Sequence, residues 1–128
     1  MVKGLNDQGP DHIHISKDGK RYYFEAIAFS IDREGHGTGK NQSDFWKAFS
    51  QALSRLNPQS RWEPPDYTII ALPWDHLNGW RQRTAQLGED VWRRIGDAFP
   101  QLEIWFVSET ELLCKSWNEA YHAGAQLA

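Results

Sequence analysis

The sequence predicts a single α/β domain with a mixed β-sheet, and three observations carry that prediction. The chain has 128 residues, of which 40% are hydrophobic and 24% charged, as expected of one globular domain. Segments with the two-residue period of strands alternate with segments that have the 3.6-residue period of helices. A strand–helix–strand repeat implies parallel strands joined by right-handed crossovers. The expected order over residues 1–128 is β-β-α-β-α-β-α.

The first two elements are predicted to be an antiparallel hairpin. Residues 11–16 (DHIHIS) alternate between polar and apolar side chains, as a half-buried strand does. Asp18-Gly19 is a dipeptide that readily adopts the positive φ angles of a tight turn. Residues 21–30 (RYYFEAIAFS) are rich in aromatic and β-branched side chains and predict the returning strand.

A loop and a helix are predicted next. Residues 31–42 contain three glycines and have no hydrophobic period, which indicates a mobile loop. Ser43 or Asp44 can cap the helix that follows by accepting hydrogen bonds from its first N–H groups. The apolar stripe of this helix consists of Phe45, Phe49, Ala52 and Leu56. Asn57-Pro58 is expected to end it.

The second half of the chain predicts two further strands separated by helix. Residues 67–72 (YTIIAL) form a continuous apolar run, which favours a central strand buried on both faces. Helical spacing extends over residues 77–98, with Gly88 as a possible break, and residues 102–107 (LEIWFV) predict another strand. Ser108 and Glu111 have the spacing of a capping box, which predicts a final helix through residues 112–117.

Composition excludes several classes of protein. A net charge of −3 argues against a protein that coats nucleic acid by bulk charge. Cys114 is the only cysteine, which excludes an internal disulfide and a cysteine-rich zinc site. No apolar run approaches 18 residues, and residues 1–10 lack the apolar stretch of a signal sequence. We therefore expect a soluble cytoplasmic protein that needs neither a membrane nor an organic cofactor.

The most informative constellation is a pair of carboxylates on the predicted hairpin. Asp11 follows Pro10 and opens the first strand, and Glu25 lies within the second, with thirteen residues between the two carboxylates. Pairing of the two strands would bring both carboxylates to one edge of the sheet. Oxygen ligands of this kind suit Mg²⁺, which can polarise a phosphate and lower the pKa of an attacking water. The alternative interpretation is a strand-opening Asp and an exposed Glu paired with a neighbouring base.

These residues resemble the PD-(D/E)XK nuclease family, whose fold is restriction-endonuclease-like. Pro10-Asp11 matches the PD element and Glu25 the D/E position, and the following helix contains Gln51, as in several branches of the family. The resemblance covers residues 10–108 and implies hydrolysis of DNA phosphodiesters with Mg²⁺ or Mn²⁺ held by Asp11 and Glu25. It is the order of the elements, more than the short motifs, that carries it.

The sequence departs from the family pattern in two places. Ile27 stands where the family has its catalytic lysine, and isoleucine can neither donate a hydrogen bond nor carry charge. Lys40 or Gln51 could take over that role, whereas Lys47 is predicted to face solvent. Only ten residues precede Asp11, so the helix that normally comes before the PD strand is not expected. Either the chain is trimmed, or a second subunit covers that face as a homodimer, or the domain is a reduced variant. Three hypotheses follow: a metal-dependent endonuclease, a non-catalytic binding or assembly module on the same fold, or an unrelated α/β binding protein.

Three weaker candidates are better explained as ordinary structure. His12 and His14 share a strand face but have no second ligand pair at metal spacing. Residues 35–40 (GHGTGK) are one residue short of a P-loop, and Asn41 replaces its Ser or Thr. Arg83 and Arg94 share a helix face, which acidic neighbours balance.

Overall fold

In this computed structural model, residues 9–27 and 39–124 are described, the first five residues of the second range by their backbone alone. The strands are β1 (His12–Ile15), β2 (Arg21–Ala26), β3 (Tyr67–Pro73), β4 (Leu102–Val107) and β5 (Leu112–Ser116). The α-helices are α1 (Gly39–Ser54), α2 (Trp80–Ala85), α3 (Glu89–Ala98) and α4 (Trp117–Ala120), and a short 3-10 helix spans Trp74–Leu77.

The five strands form one mixed sheet in the order β1-β2-β3-β4-β5. The central pairs β2–β3 and β3–β4 are parallel, and the outer pairs β1–β2 and β4–β5 are antiparallel. Each parallel pair is joined by helix, as the strand–helix–strand repeat predicts. The predicted α/β class with a mixed sheet is therefore confirmed.

The first hairpin forms as predicted. Gly19 takes a φ of 85°, and the Ser16 and Gly19 amides donate to the carbonyls of Lys20 and Ser16 at 2.9 Å each. A three-residue loop with a left-handed glycine is a common way to join antiparallel strands. Residues 28–30 of the predicted second strand lie outside the described residues, as do residues 31–38 of the predicted loop.

The start of α1 differs from the prediction. Helix α1 begins at Gly39, so Ser43 and Asp44 lie inside it and the expected N-cap is wrong. Lys40 consequently lies in the first turn of α1 and not in a glycine-rich loop.

The break expected at Gly88 is confirmed. Gly88 separates α2 from α3, and its φ of 79° is a left-handed conformation that favours glycine.

The C-terminal prediction is wrong. No helix begins at Ser108; residues 108–111 form the turn of a hairpin, and residues 112–116 are β5, paired with β4. The last α-helix of the described ranges is α4, four residues long, and the capping box belongs to Ser116 and Glu119. The chain therefore has a fifth strand that the predicted order lacks.

The main core lies between one face of the sheet and the helices. Alternate residues of β3 and β4 meet large aromatic side chains from the helices. The strand residues are Ile70, Leu72, Leu102, Ile104 and Phe106, and the helical ones include Phe45, Trp80, Trp92 and Trp117. β3 is central and its interior is buried on both faces, as predicted. On the other face, the rings of Phe24 and Trp105 meet across β3 with centroids 5.1 Å apart, over Ile69, which is fully buried.

Candidate functional site

The two carboxylates of the predicted site lie on neighbouring strands. β1 and β2 pair antiparallel with His12 opposite Phe24, a register that sets Asp11 against Glu25. Asp11 is exposed, and its Oδ2 accepts a hydrogen bond from the Ala26 amide at 2.9 Å. The negative charge of Asp11 is one of the influences that raise the pKa of Glu25. Strand pairing therefore brings the two acidic groups to the same edge of the sheet.

Glu25 is bound by a residue that the sequence analysis did not single out. Its side chain is 1% exposed, and its two carboxylate oxygens accept hydrogen bonds from Nε and Nη2 of Arg55, each at 3.2 Å. The guanidinium is 9% exposed, and Nη2 also donates to the Gly9 carbonyl at 3.2 Å. Glu25 is therefore one half of a buried, bidentate ion pair.

Burial and Arg55 act on Glu25 in opposite directions. Burial raises the pKa of Glu25 because a carboxylate loses hydration inside the protein, whereas the hydrogen bonds and charge of Arg55 lower it. The net direction is upward. The desolvation of this carboxylate is thus only partly offset by its partner.

The spacing of helix α1 carried a signal for Arg55. Ala48, Gln51 and Arg55 follow one another at three- and four-residue intervals, so they lie along one stripe of the helix. Ala48 is buried and belongs to the core, while Arg55 lies just past the last residue of the helix. A basic residue on the same helical stripe as a core residue such as Ala48 is a candidate for a buried ion pair, although the spacing does not identify its partner.

A cavity of about 210 Å³ lies beside the position of the missing lysine. Its walls are Ala26 and Ile27 of the β2 end, and Asp44, Lys47, Ala48 and Gln51 of α1. Ile27 is largely buried among core residues, and its amide donates to the Ala71 carbonyl at 3.0 Å. Gln51 and Lys47 are both exposed at this cavity, so the prediction that Lys47 faces solvent agrees with its exposure. The side chain of Lys40 lies outside the described residues.

A second polar cluster lies beyond the C-terminal end of β3. His76, in the 3-10 helix, is 2% exposed, and Arg83 Nη1 approaches its Nδ1 at 3.1 Å. A guanidinium can only donate, so Nδ1 accepts and the neutral ring carries its proton on Nε2. Burial, and then the charge of Arg83, lower the pKa of His76 to about 4. Arg83 lies over the rings of Phe45 and Trp80, at 5.8 and 5.6 Å from their centroids.

The remaining candidates are placed as follows. The imidazoles of His12 and His14 lie near the rings of Phe24 and Tyr22, with centroids 5.5 and 5.8 Å apart. Arg83 and Arg94 lie on different helices, α2 and α3, so the helix face predicted to hold both is wrong. Arg94 pairs with Asp90 one helical turn away, as expected of a solvated face. Residues 35–38 of the glycine-rich segment lie outside the described residues.

Within residues 9–27 and 39–124, no group of three or more His, Cys, Asp or Glu side chains is arranged to hold a metal ion. In the same ranges, no helix is both long and apolar enough to cross a membrane. No protein-family model matches this sequence, and neither the curated proteins nor the solved structures give a significant match.

Proposed function

We propose that this chain is a non-catalytic binding and assembly module on a restriction-endonuclease-like fold. The observation that carries the proposal is the buried ion pair, in which both carboxylate oxygens of Glu25 bind the guanidinium of Arg55. Arg55 supplies at this carboxylate the positive charge that a divalent cation would supply in a nuclease. The Glu25 carboxylate is therefore a structural group that joins β2 to the end of α1.

Replacing Arg55 by a metal ion would be costly. A cation that took both oxygens of Glu25 would displace the two hydrogen bonds that these oxygens accept from Arg55, a residue that is 9% exposed. Breaking one partner out of a buried ion pair costs about 3–5 kcal/mol. Asp11 would be the second carboxylate ligand of such a cation, and its Oδ2 already accepts a hydrogen bond from the Ala26 amide. Ile27 adds no charge with which to stabilise a transition state.

The second candidate function is hydrolysis of DNA phosphodiesters, and the cavity beside Ile27 favours it. Lys47 and Gln51 reach this cavity from α1, and Ala26, whose amide binds Asp11, forms part of its wall. Mg²⁺ or Mn²⁺ held by Asp11 and Glu25 would polarise the phosphate and lower the pKa of the attacking water. Lys47 or Gln51 would then orient that water or the phosphate oxygens, in place of the lysine at position 27.

Plasmid nicking separates the two functions. Supercoiled DNA is incubated with Mg²⁺ or Mn²⁺ and with the wild-type protein or Glu25→Gln. If the protein is a non-catalytic module, the wild type is expected to nick no more DNA than Glu25→Gln does, at any protein concentration. Nicking by the wild type that is lost in Glu25→Gln would overturn our proposal and establish the nuclease. Calorimetric titration with Mn²⁺ gives a readout apart from activity: we expect no binding that depends on Glu25.

A lysine restored at position 27 tests the site itself. In Ile27→Lys the new ammonium group can enter the cavity lined by Lys47 and Gln51. The matched control is Val91→Lys, which adds the same charge at an exposed apolar position of α3. Nicking gained by Ile27→Lys alone would support a nuclease-like site that lacks only its lysine. If both oxygens of Glu25 stay bound to Arg55, neither variant is expected to nick DNA.

A further inference from the structure

Strand β1 is an edge of the sheet that no other described strand covers. It lies at the end of the strand order, and all four of its residues are exposed. Ile13 and Ile15 are 38% and 54% exposed, and both belong to the exposed large apolar residues of the described ranges. Edge strands are usually protected from pairing with other chains by lysine, proline or a bulge. The sequence His12–Ile15 contains neither lysine nor proline, and its pairing with β2 is continuous.

The outward-facing backbone groups of this edge belong to the two isoleucines. The Ser16 amide donates to the Lys20 carbonyl, so Ser16 directs its backbone groups toward β2. In an antiparallel pair this direction alternates along the strand. His14 therefore also faces β2, and the N–H and C=O groups of Ile13 and Ile15 point away from the sheet. Among the described residues, no strand pairs with them.

The pattern of side chains along this edge is complementary to itself. Asp11, Ile13, Ile15 and Lys17 alternate along one face, with an acidic residue at one end and a basic residue at the other. If two copies pair antiparallel about a twofold axis at His14, Ile13 of each copy lies opposite Ile15 of the other. The same register sets Asp11 opposite Lys17 of the second copy, so opposite charges meet at both ends.

The backbone allows this register and few others. The outward-pointing N–H and C=O groups of one copy must bind the outward-pointing groups of the other. This requires the twofold axis to pass through a residue and not between two residues. The positions next to His14 through which the axis could pass are Ile13 and Ile15. An axis at Ile13 would pair Asp11 with Ile15 of the second copy, and an axis at Ile15 would pair Ile13 with Lys17. Only the axis at His14 matches apolar with apolar and acidic with basic side chains.

We propose that β1 is a dimer interface, at which a second copy of this chain adds its own β1 antiparallel, with the twofold axis at His14. The two sheets then form one continuous sheet. The inference does not depend on the proposed function, since an active nuclease could dimerise through the same edge. Asp11 retains Oδ1 for Lys17 of the second copy, because Oδ2 is the atom that accepts the Ala26 amide.

Disulfide trapping tests the register directly. At the twofold axis, position 14 faces itself in a non-hydrogen-bonded pair, where Cβ atoms lie about 4.5–5.5 Å apart, close enough for a disulfide after small shifts. In a Cys114→Ser background, His14→Cys is expected to form covalent dimers in a glutathione redox buffer. His12→Cys is the matched control, on the same strand and face but opposite Ser16 of the second copy. We expect cross-linking at position 14 to be roughly ten times faster, because pairing raises the effective thiol concentration. Equal rates would overturn the proposal.

A charge exchange provides an independent test. Lys17→Glu sets two acidic pairs across the interface, and Asp11→Lys sets two basic pairs, so sedimentation should show each variant dimerising more weakly than the wild type. Mixed together, the two variants restore opposite charges at both ends and should form a heterodimer. A mixture as monomeric as its components would overturn the register. Failure of these tests leaves the nicking experiment unaffected, since that experiment depends on Glu25 alone.

Discussion

The Glu25–Arg55 pair gives one buried carboxylate a structural partner. Glu25 is 1% exposed, and both its oxygens are bound by one guanidinium. A planar guanidinium and a carboxylate match each other in two parallel hydrogen bonds, which fixes their relative orientation. The pair also connects three segments, because Arg55 binds the Gly9 carbonyl ahead of β1.

The first prediction concerns the stability that this pair provides. Glu25→Gln removes the carboxylate charge that binds the buried Arg55 guanidinium through two hydrogen bonds, so the free energy of unfolding should fall by about 3 kcal/mol. The control is Glu63→Gln, which breaks the Arg21–Glu63 pair, whose glutamate is 74% exposed. That change should cost less than about 1 kcal/mol. Urea denaturation of both variants measures the difference, and equal losses would contradict a structural role for Glu25.

The second prediction concerns pH and His76. Its pKa is lowered to about 4 in the folded protein, from an ordinary value of 6.5. Between these values the unfolded chain binds a proton that the folded protein does not, so acid favours unfolding. The stabilisation is complete above the ordinary pKa and is lost as the pH falls toward 4, by about 3 kcal/mol in total.

NMR titration of the ring protons of His76 provides the direct measurement. We expect the His76 resonances to stay unchanged from pH 7 to about pH 5, which is consistent with a pKa near 4. The stability difference between pH 7 and pH 4 should also shrink in His76→Gln and persist in His122→Gln, since His122 is exposed. A His76 ring that titrates near its ordinary value would contradict the prediction.

At the residue scale, sequence could supply the acidic positions but not the partner that defines their role. Asp11 and Glu25 were found from motif spacing, and the antiparallel register brings them together. Arg55 lies thirty residues from Glu25, so only the packing of α1 on the sheet makes their contact. His76 was passed over because a single histidine after a strand has no local pattern that indicates burial.

At the scale of the elements, the C-terminal hairpin explains the one element that was predicted wrongly. The Ser108 side chain does accept the Glu111 amide, at 2.9 Å, as in a helix cap, but the Ser108 amide also donates to the Glu111 carbonyl, which closes a hairpin turn. A serine side chain that accepts a hydrogen bond from the amide three residues later occurs both at helix N-termini and in hairpin turns. Pairing of residues 112–116 with β4 then decides in favour of a strand. The apolar pattern alone could not show that one side of β4 was open for pairing with another strand.

The third prediction concerns the cap that does form. Ser116 accepts the Glu119 amide at 3.2 Å, and the Glu119 side chain accepts the Ser116 amide at 3.1 Å. These bonds satisfy N–H groups that a short helix cannot satisfy itself. Ser116→Ala should therefore lower the free energy of unfolding by about 1 kcal/mol. Ser50→Ala, at an exposed position of α1, should be neutral or slightly stabilising. If Ser50→Ala lowered the free energy of unfolding as much as Ser116→Ala, the effect would not come from capping.

At the scale of the whole molecule, the helices are joined into a single layer by tryptophan. Trp92 of α3 and Trp117 of α4 stack with centroids 3.9 Å apart, and each indole donates to the other's carbonyl, at 2.6 and 2.7 Å. The Trp80 indole donates to the Ala120 carbonyl at 2.6 Å. Tryptophan is therefore used here mainly in the core. The shared core joins every described helix to the same face of the sheet.

The last prediction follows from that shared core. Because one cluster links all the described helices to β3 and β4, unfolding in urea should be a single cooperative transition. Tryptophan fluorescence reports both faces of the sheet, since Trp105 lies opposite Trp92 and Trp117, while far-UV circular dichroism reports the backbone. The two transitions should coincide in the wild type and should shift together in Trp117→Phe, which removes one indole donor. A fluorescence transition at lower urea than the dichroism transition would mean that the helical layer separates before the sheet unfolds, and would contradict a single cooperative unit.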